Sequence, residues 1–238
     1  VLTREKEIEY AKENDIEIIV KKESPFSVDE NLWGRSCECG IIEDAWEEPP
    51  ADAWGWTVAP HDAPDEAEYL EIGFEKGIPV SLDGKRMDGL KLIGEVDRIA
   101  RKNGVGRIDH VEDRLVGIKS RETYECPAAT VLIAAHRSME FITLQRDVTS
   151  MKKKLEQRFS ELAYDGLWFG LLRESISAFI DKTQENVTGT VRVKLYKASI
   201  MVVGRRSPCS LYDEGLATYA EGDIYDHNAA VGFIYCWG

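Results

Sequence analysis

The sequence predicts an α+β fold in which antiparallel strands and hairpins pack with several helices. Three observations carry that expectation. Segments alternating with a two-residue period come in pairs separated by short turns. Segments with helical spacing stand between those pairs. Finally, the strand–helix–strand repetition of a complete doubly wound sheet is not sustained along the chain. The 238 residues are enough for one large domain or two small ones with a substantial core.

Residues 4–14 have the spacing of an amphipathic helix, and Ile16-Glu17-Ile18-Ile19-Val20 reads as a strand. Periodicity leaves two readings open, the end of an α/β domain or a capping helix. Between Ala45 and Glu68 the chain carries Pro49, Pro50, Pro60 and Pro64, Trp46, Trp54 and Trp56, and many acids, with no sustained period. This predicts a long ordered excursion or a lid. Residues 69–74 and 78–82 read as strands, with Glu75-Lys76-Gly77 turning between them and Asp83-Gly84 as the next turn signal.

Leu92, Val96 and Ile99 form one apolar helix face, stopped by Asn103-Gly104. Pro127 suits the first turn of a long helix. Met151, Leu155, Phe159 and Leu162 mark the next helix, and Leu172, Ile176 and Phe179 the one after. In the first of these, Met151-Lys152-Lys153-Lys154 reads as a solvated basic face. Val191, Val193 and Leu195 alternate, and residues 199–203 follow a short turn, which predicts a hairpin.

With 43 acidic and 30 basic residues, the net charge of −13 repels polyanions, so no general nucleic-acid binding is expected. Apolar runs such as 128–135 and 200–203 fall far short of the roughly 20 residues of a membrane span. The first residues carry no signal-peptide pattern, and cytoplasm is the expected location. The five cysteines, Cys37, Cys39, Cys126, Cys209 and Cys236, are scattered and read as reduced thiols. Cys37-Glu38-Cys39 is spaced too tightly for a common zinc site, and His61, His110, His136 and His227 lie far apart, so no metal is expected.

The most informative stretch is Pro25-Phe26-Ser27-Val28-Asp29-Glu30-Asn31-Leu32-Trp33-Gly34-Arg35-Ser36, which matches no ordinary helix or strand period. Alone it reads as a polar surface loop. Two further blocks, 104–114 and 117–130, are similarly dense in functional side chains, and together they suit a site for a zwitterionic small molecule. Glu112 is an acceptor for an ammonium group, Ser27 and Ser36 supply hydroxyls, and Tyr124 offers a phenol on an apolar ring. Taken by itself, Glu112 reads first as an exposed ion pair with Arg114 or another neighbour. Lys119 and Arg121 read equally as ligands for phosphate or carboxylate and as structural ion pairs.

In this order and spacing the three blocks resemble argininosuccinate synthase. The resemblance runs from about residue 4 to Gly238. It includes Tyr164-Asp165-Gly166-Leu167-Trp168-Phe169, Asp181-Lys182-Thr183-Gln184, Gly204-Arg205-Arg206-Ser207-Pro208, Ser210-Leu211-Tyr212 and Gly232-Phe233-Ile234. It implies ATP-dependent joining of citrulline to aspartate through a citrullyl-adenylate, with AMP and pyrophosphate released, a step of arginine biosynthesis and the urea cycle. It also implies that Ser27, Ser36, Glu112 and Tyr124 hold citrulline, and that the chain works in a homo-oligomer, the family's tetramer. No residue is assigned as a catalytic base or nucleophile, because adenylation itself creates the leaving group.

The family's Ser-Gly-Gly-Leu-Asp-Thr-Ser phosphate loop does not occur in this sequence, and Gly104-Val105-Gly106 is too short to replace it. The resemblance therefore implies that residues 1–21 close a nucleotide-binding domain and residues 22–238 form the synthetase and multimerisation domain. ATP and its Mg2+ are expected on the nucleotide domain rather than on this chain, which is expected to be inactive when isolated. An alternative remains, a non-catalytic oligomerisation or amino-acid-binding module. Leu171 stands where many relatives have proline, and Lys197-Ala198-Ser199 makes a turn where glycine is usual.

Overall fold

Residues 4–16, 26–218 and 224–238 are described in a computed structural model of the chain. Among them the architecture is α+β, with two antiparallel sheets and seven helices. Helix α1 (Arg4–Glu13) lies in the segment expected to be helical over residues 4–14. The strand expected at 16–20 lies, from residue 17 onward, outside the described residues, as do the boundary between residues 21 and 22 and residues 219–223.

The main core forms where a five-stranded sheet meets two helices. Its strands are β3 (Glu68–Glu75), β4 (Ile78–Leu82), β5 (Lys85–Arg86), β8 (Gly189–Tyr196) and β9 (Ser199–Arg206), in the order β5-β4-β3-β8-β9. The register pairs Leu70 with Val193 and Ile72 with Val191, so the alternating apolar residues of both strands share the buried face. Helix α2 (Gly89–Lys102) covers that face with Leu92, Val96, Ile99 and Ala100, and α3 (Pro127–Thr143) with Val131, Leu132, Ala135 and Met139. Asp88 caps α2 by accepting from the Lys91 amide, and Pro127 occupies the first turn of α3, where a missing N–H leaves no bond unmade. The outer face of the sheet is charged: Glu71 lies opposite Arg192, and the two side chains are ion-paired.

Helices α4 (Arg146–Tyr164) and α5 (Leu171–Gln184) form a helical hairpin beside this core. The basic run of α4 differs from the solvated face expected for it. Lys152 is 4% exposed and its ammonium pairs with Glu140 of α3 at 2.9 Å and also with Glu156. Gln184 of α5 donates to the same Glu140 at 2.8 Å, so a buried charged pair joins all three helices. The helical period is the same for a buried and an exposed lysine; only the α3 carboxylate decides between them. The chain ends in the short helix α6 (Glu214–Ala217) and α7 (His227–Trp237).

The second sheet overturns the reading of the 25–36 block as a segment without strand structure. β1 (Ser27–Glu30) and β2 (Arg35–Glu38) form a hairpin there, turned by Asn31, whose side-chain oxygen accepts from the Trp33 and Gly34 amides. With β6 (Arg107–Asp113) and β7 (Lys119–Glu125) they make a four-stranded sheet ordered β1-β2-β7-β6. Apolar alternation fails to announce these strands because polar groups occupy both faces, each face for a different reason.

One face carries Arg35, Cys37, Arg121, Thr123 and Glu125 and is covered by the 40–67 excursion, which contains single 3-10 turns at Gly40–Glu43 and Ala51–Ala53. Glu125, 1% exposed, is the anchor. It accepts from the amides of Gly55, Trp56 and Thr57 at 2.7–3.1 Å, from the Thr57 hydroxyl at 2.7 Å and from the Arg35 guanidinium at 3.0 Å. Burial by itself raises its pKa, but these bonds outweigh burial and hold the carboxyl below its ordinary value. Arg121 pairs with Asp109 at 2.6 Å and donates to the carbonyls of Ile42, Asp44 and Glu47. The segment is ordered, as expected of an excursion, and its backbone is bonded to the back face of the sheet.

Candidate functional site

The register of the four-stranded sheet assembles the other face. Directly opposed residues share a face, so a chain of pairs fixes membership across all four strands. Ser36 of β2 lies opposite Tyr124 of β7 and opposite Asp29 of β1, while Ser27 lies opposite Glu38. Tyr124 in turn lies opposite Ile108 of β6, Glu122 opposite His110, and Ser120 opposite Glu112. Ser27, Ser36, Glu112 and Tyr124 thus come from four different strands onto one face of one sheet. This face is the front of the sheet, and the excursion covers the back.

Glu112, Tyr124, Ile108, His110 and Asp113 line an open depression of about 530 Å³. Its remaining wall is Tyr164, delivered by the last turn of α4, whose hydroxyl donates to Glu112 Oε1 at 3.3 Å. The string 164–169 explains that placement. Gly166, at φ +74°, lets the chain leave the helix in a left-handed turn, and Trp168 packs edge-on against Phe159 with the Arg173 guanidinium over its indole ring. Ser27 and Ser36 lie further across the same face and do not line this depression.

The site is acidic and internally ordered. Arg114 lies between three carboxylates: Glu38 at 3.1 Å, Glu122 at 3.2 Å and Glu112 at 3.6 Å. Its Nε donates to the Ser120 hydroxyl at 2.9 Å, which donates onward to Glu112 at 3.2 Å. The ion-pair reading of Glu112 with Arg114 is therefore correct as geometry. It does not remove Glu112 from the site, because Glu112 still lines the depression and shares that one guanidinium with Glu38 and Glu122. The Tyr124 hydroxyl donates to Glu122 at 2.8 Å. Burial, and next that hydrogen bond, push the Tyr124 phenol well above the ordinary tyrosine range. Tyr164 is also raised, by desolvation and by Glu112.

Of the polar groups of the 25–36 block, Ser27, Asp29 and Ser36 face the front. Arg35 and Glu30 do not: Arg35 is turned to Glu125 on the back, and Glu30 accepts from the Trp56 indole N–H at 3.1 Å. Arg121 likewise serves the back face, and Lys119 pairs with Asp113. Both side chains are thus engaged in ion pairs. Sequence reasoning missed Glu38, Ser120, Glu122 and Tyr164 as members of this cluster. The two-residue spacing of Ser120, Glu122 and Tyr124 is a signal that could have found two of them.

Gly104–Gly106 leads into strand β6 rather than a helix N-terminus, and among the described residues no three His, Cys, Asp or Glu side chains converge to hold a metal ion. No described helix is long and apolar enough to cross a membrane.

Comparison with known proteins identifies the family. The family model described as arginosuccinate synthase C-terminal domain matches residues 26–238. Argininosuccinate synthase of Symbiobacterium thermophilum is 58% identical over 236 residues, covering 99% of this chain and 59% of the relative. That of Ligilactobacillus salivarius is 56% identical, with 99% and 59% covered, and that of Halalkalibacterium halodurans 58% identical, with 99% and 58% covered. The chain thus spans less than two thirds of the length of these curated relatives, and it belongs to the argininosuccinate synthase family, matching the family's C-terminal domain.

Proposed function

We propose that this chain supplies the citrulline-binding half of an argininosuccinate synthase. The convergence of Ser27, Ser36, Glu112 and Tyr124 from four strands onto one face is the observation that carries the reading. Glu112 is four residues along β6 from Ile108, the register partner of Tyr124. That is about 13 Å of strand, so a ligand touching both ends must be extended. Citrulline has that shape, with an α-ammonium at one end for Glu112 and a ureido group at the other for the phenol and hydroxyls.

In the complete enzyme, the ureido oxygen attacks the α-phosphate of ATP and pyrophosphate leaves. The aspartate amine then displaces AMP to give argininosuccinate. The residues of this chain contribute orientation rather than proton transfer: they hold citrulline so that a weak nucleophile meets the phosphate in line. ATP, aspartate and Mg2+ are assigned to a nucleotide-binding domain, with residues 1–21 as its final segment and residues 22–238 as the synthetase domain. The chain alone is then inactive.

Assembly with copies of itself is part of the same proposal. Val231, Phe233, Ile234, Tyr235 and Trp237 of α7 are all more than half exposed, and Phe233 stacks on Trp237 at 5.6 Å. Such an apolar surface favours burial against another subunit.

Calorimetric titration of citrulline into the chain, with Glu112→Ala as control, tests the binding half. Heat lost in the variant supports a preformed half-site. A folded wild type and variant that behave identically, in the chain and in the complete enzyme, overturn the reading.

A further inference from the structure

Glu122 is the side chain of the polar face that the functional reading leaves without a task. It sits at the centre of the face, in β7 between Ser120 and Tyr124 and opposite His110 of β6, and is only 8% exposed. It does not line the depression. Its two oxygens are both engaged: Oε2 accepts the Tyr124 hydroxyl proton at 2.8 Å, and Oε1 accepts from Arg114 at 3.2 Å. A phenol has one proton to donate and two lone pairs with which to accept. Once that proton is committed to a carboxylate, only acceptor capacity remains for anything in the depression.

We infer that Glu122 is a positioning residue that fixes the Tyr124 hydroxyl as a hydrogen-bond acceptor, so that the site selects ligands presenting N–H groups over otherwise similar ligands presenting a carbonyl or carboxylate there. This rests on the citrulline reading and deepens it, since a ureido group carries N–H donors. Arg114 completes the device. Its guanidinium holds the Glu122 carboxylate in place, and its contacts with Glu38 and Glu112 leave little freedom for that carboxylate to turn away.

The charged and titratable groups facing Tyr124 are Glu122 on β7, Glu112 and His110 on β6 and Tyr164 on α4, and His110 meets the Tyr124 ring edge-on at 6.3 Å. Burial first, then the hydrogen bond to Glu122 and the charges of Glu122 and Glu112, disfavour a phenolate, so Tyr124 keeps the proton it gives to Glu122 at pH values where an ordinary tyrosine, of pKa about 10, has ionised.

The test combines a ligand-free reading with a functional one. The chain is labelled with 13Cζ-tyrosine, the Tyr124 resonance is assigned with Tyr124→Phe, and its titration is followed in wild type, Glu122→Gln and Glu122→Ala. The Glu122→Ala variant is expected to shift the resonance and bring its ionisation to lower pH. Citrulline KM is then measured in the complete enzyme. Glu122→Ala and Tyr124→Phe should each raise it about tenfold with little change in kcat, and the double variant should lose no more than either single one. An unmoved Tyr124 titration, or additive losses in the double variant, overturns the assignment. Ser36→Ala and Glu112→Ala separate the two levels. If they leave citrulline KM unchanged, the citrulline reading itself has failed; if they raise it while Glu122→Ala is silent, only the role of Glu122 has failed. The isosteric Glu122→Gln keeps the test open if the alanine variant does not fold.

Discussion

Ser36 lies directly opposite Tyr124 across β2 and β7, so the hairpin of the first polar block and the strand of the third meet at one register position. Side chains opposed in this way are within reach of a common ligand atom. Removing either hydroxyl should therefore weaken citrulline binding by about five- to tenfold, the size of one neutral hydrogen bond. Ser36→Ala and Tyr124→Phe, measured by citrulline KM or calorimetry, should do so without altering the thermal midpoint by more than a few degrees.

A larger loss is expected at Glu112, where the contact proposed is charge-assisted. Glu112→Gln preserves shape and the bond from Ser120 but removes the negative charge that an ammonium requires. Citrulline affinity should fall about ten- to a hundredfold. The check is specific: a citrulline analogue lacking the α-amino group should bind wild type and variant equally.

Glu125 is expected to matter for stability instead of binding. Glu125→Ala strands three backbone amides and the buried Arg35 guanidinium, and should destabilise the chain by about 3–5 kcal/mol in denaturant unfolding. The pH dependence follows from the direction of its shift. Because the folded carboxyl titrates below the unfolded value of about 4.3, its contribution is fully present above that pH and is lost as pH falls through the lower, folded value. The stability advantage of wild type over Glu125→Gln should accordingly be constant near neutrality and shrink below about pH 4.

Lys152 supplies a contrasting case. Lys152→Met leaves Glu140 buried without its ammonium and should cost about 3 kcal/mol or more, whereas Lys152→Met combined with Glu140→Leu should recover much of that loss. Unfolding midpoints of the two single variants and the double variant decide the matter. Additive destabilisation would mean that the pair is not the unit that joins α3 to α4.

At Gly106 the backbone sits at φ +105°, and an added Cβ would lie 2.7 Å from the Pro127 backbone. Gly106→Ala should destabilise by about 2 kcal/mol or more through strain and overlap together. Gly94, where an added Cβ meets nothing within 4 Å, is the control: Gly94→Ala within α2 should be neutral or stabilising.

Much of the architecture was legible before any coordinates. The apolar spacing of Leu92, Val96 and Ile99 and the alternation of Val191, Val193 and Leu195 each define one buried face, and each is buried as expected. The Asn103-Gly104 stop and the Pro127 start are likewise where the chain changes direction, since both depend on local backbone preferences. The altered turn at Lys197-Ala198 is accommodated with both residues at positive φ, at +43° and +67°. By contrast, the four-stranded sheet was invisible as a sheet. Its front is polar because Ser27, Ser36, Ser120, Glu122, Glu112 and Tyr124 share it, and its back is polar because Glu125, Arg35 and Arg121 bond the excursion, so neither face offers the apolar alternation by which strands are recognised.

The sequence by itself determined the fold class, the helices and hairpins of the main core, and the family, because period, turn chemistry and motif strings are properties of neighbouring residues. Only the tertiary structure decided which polar residues act together. Whether Arg35 and Arg121 face the site or the excursion, whether Lys152 is solvated or buried, and which phenol meets which carboxylate all depend on the register between strands far apart in sequence and on the helices packed beside them. A two-residue period assigns alternate residues to opposite faces, but the nature of each face is set by what the rest of the chain brings against it.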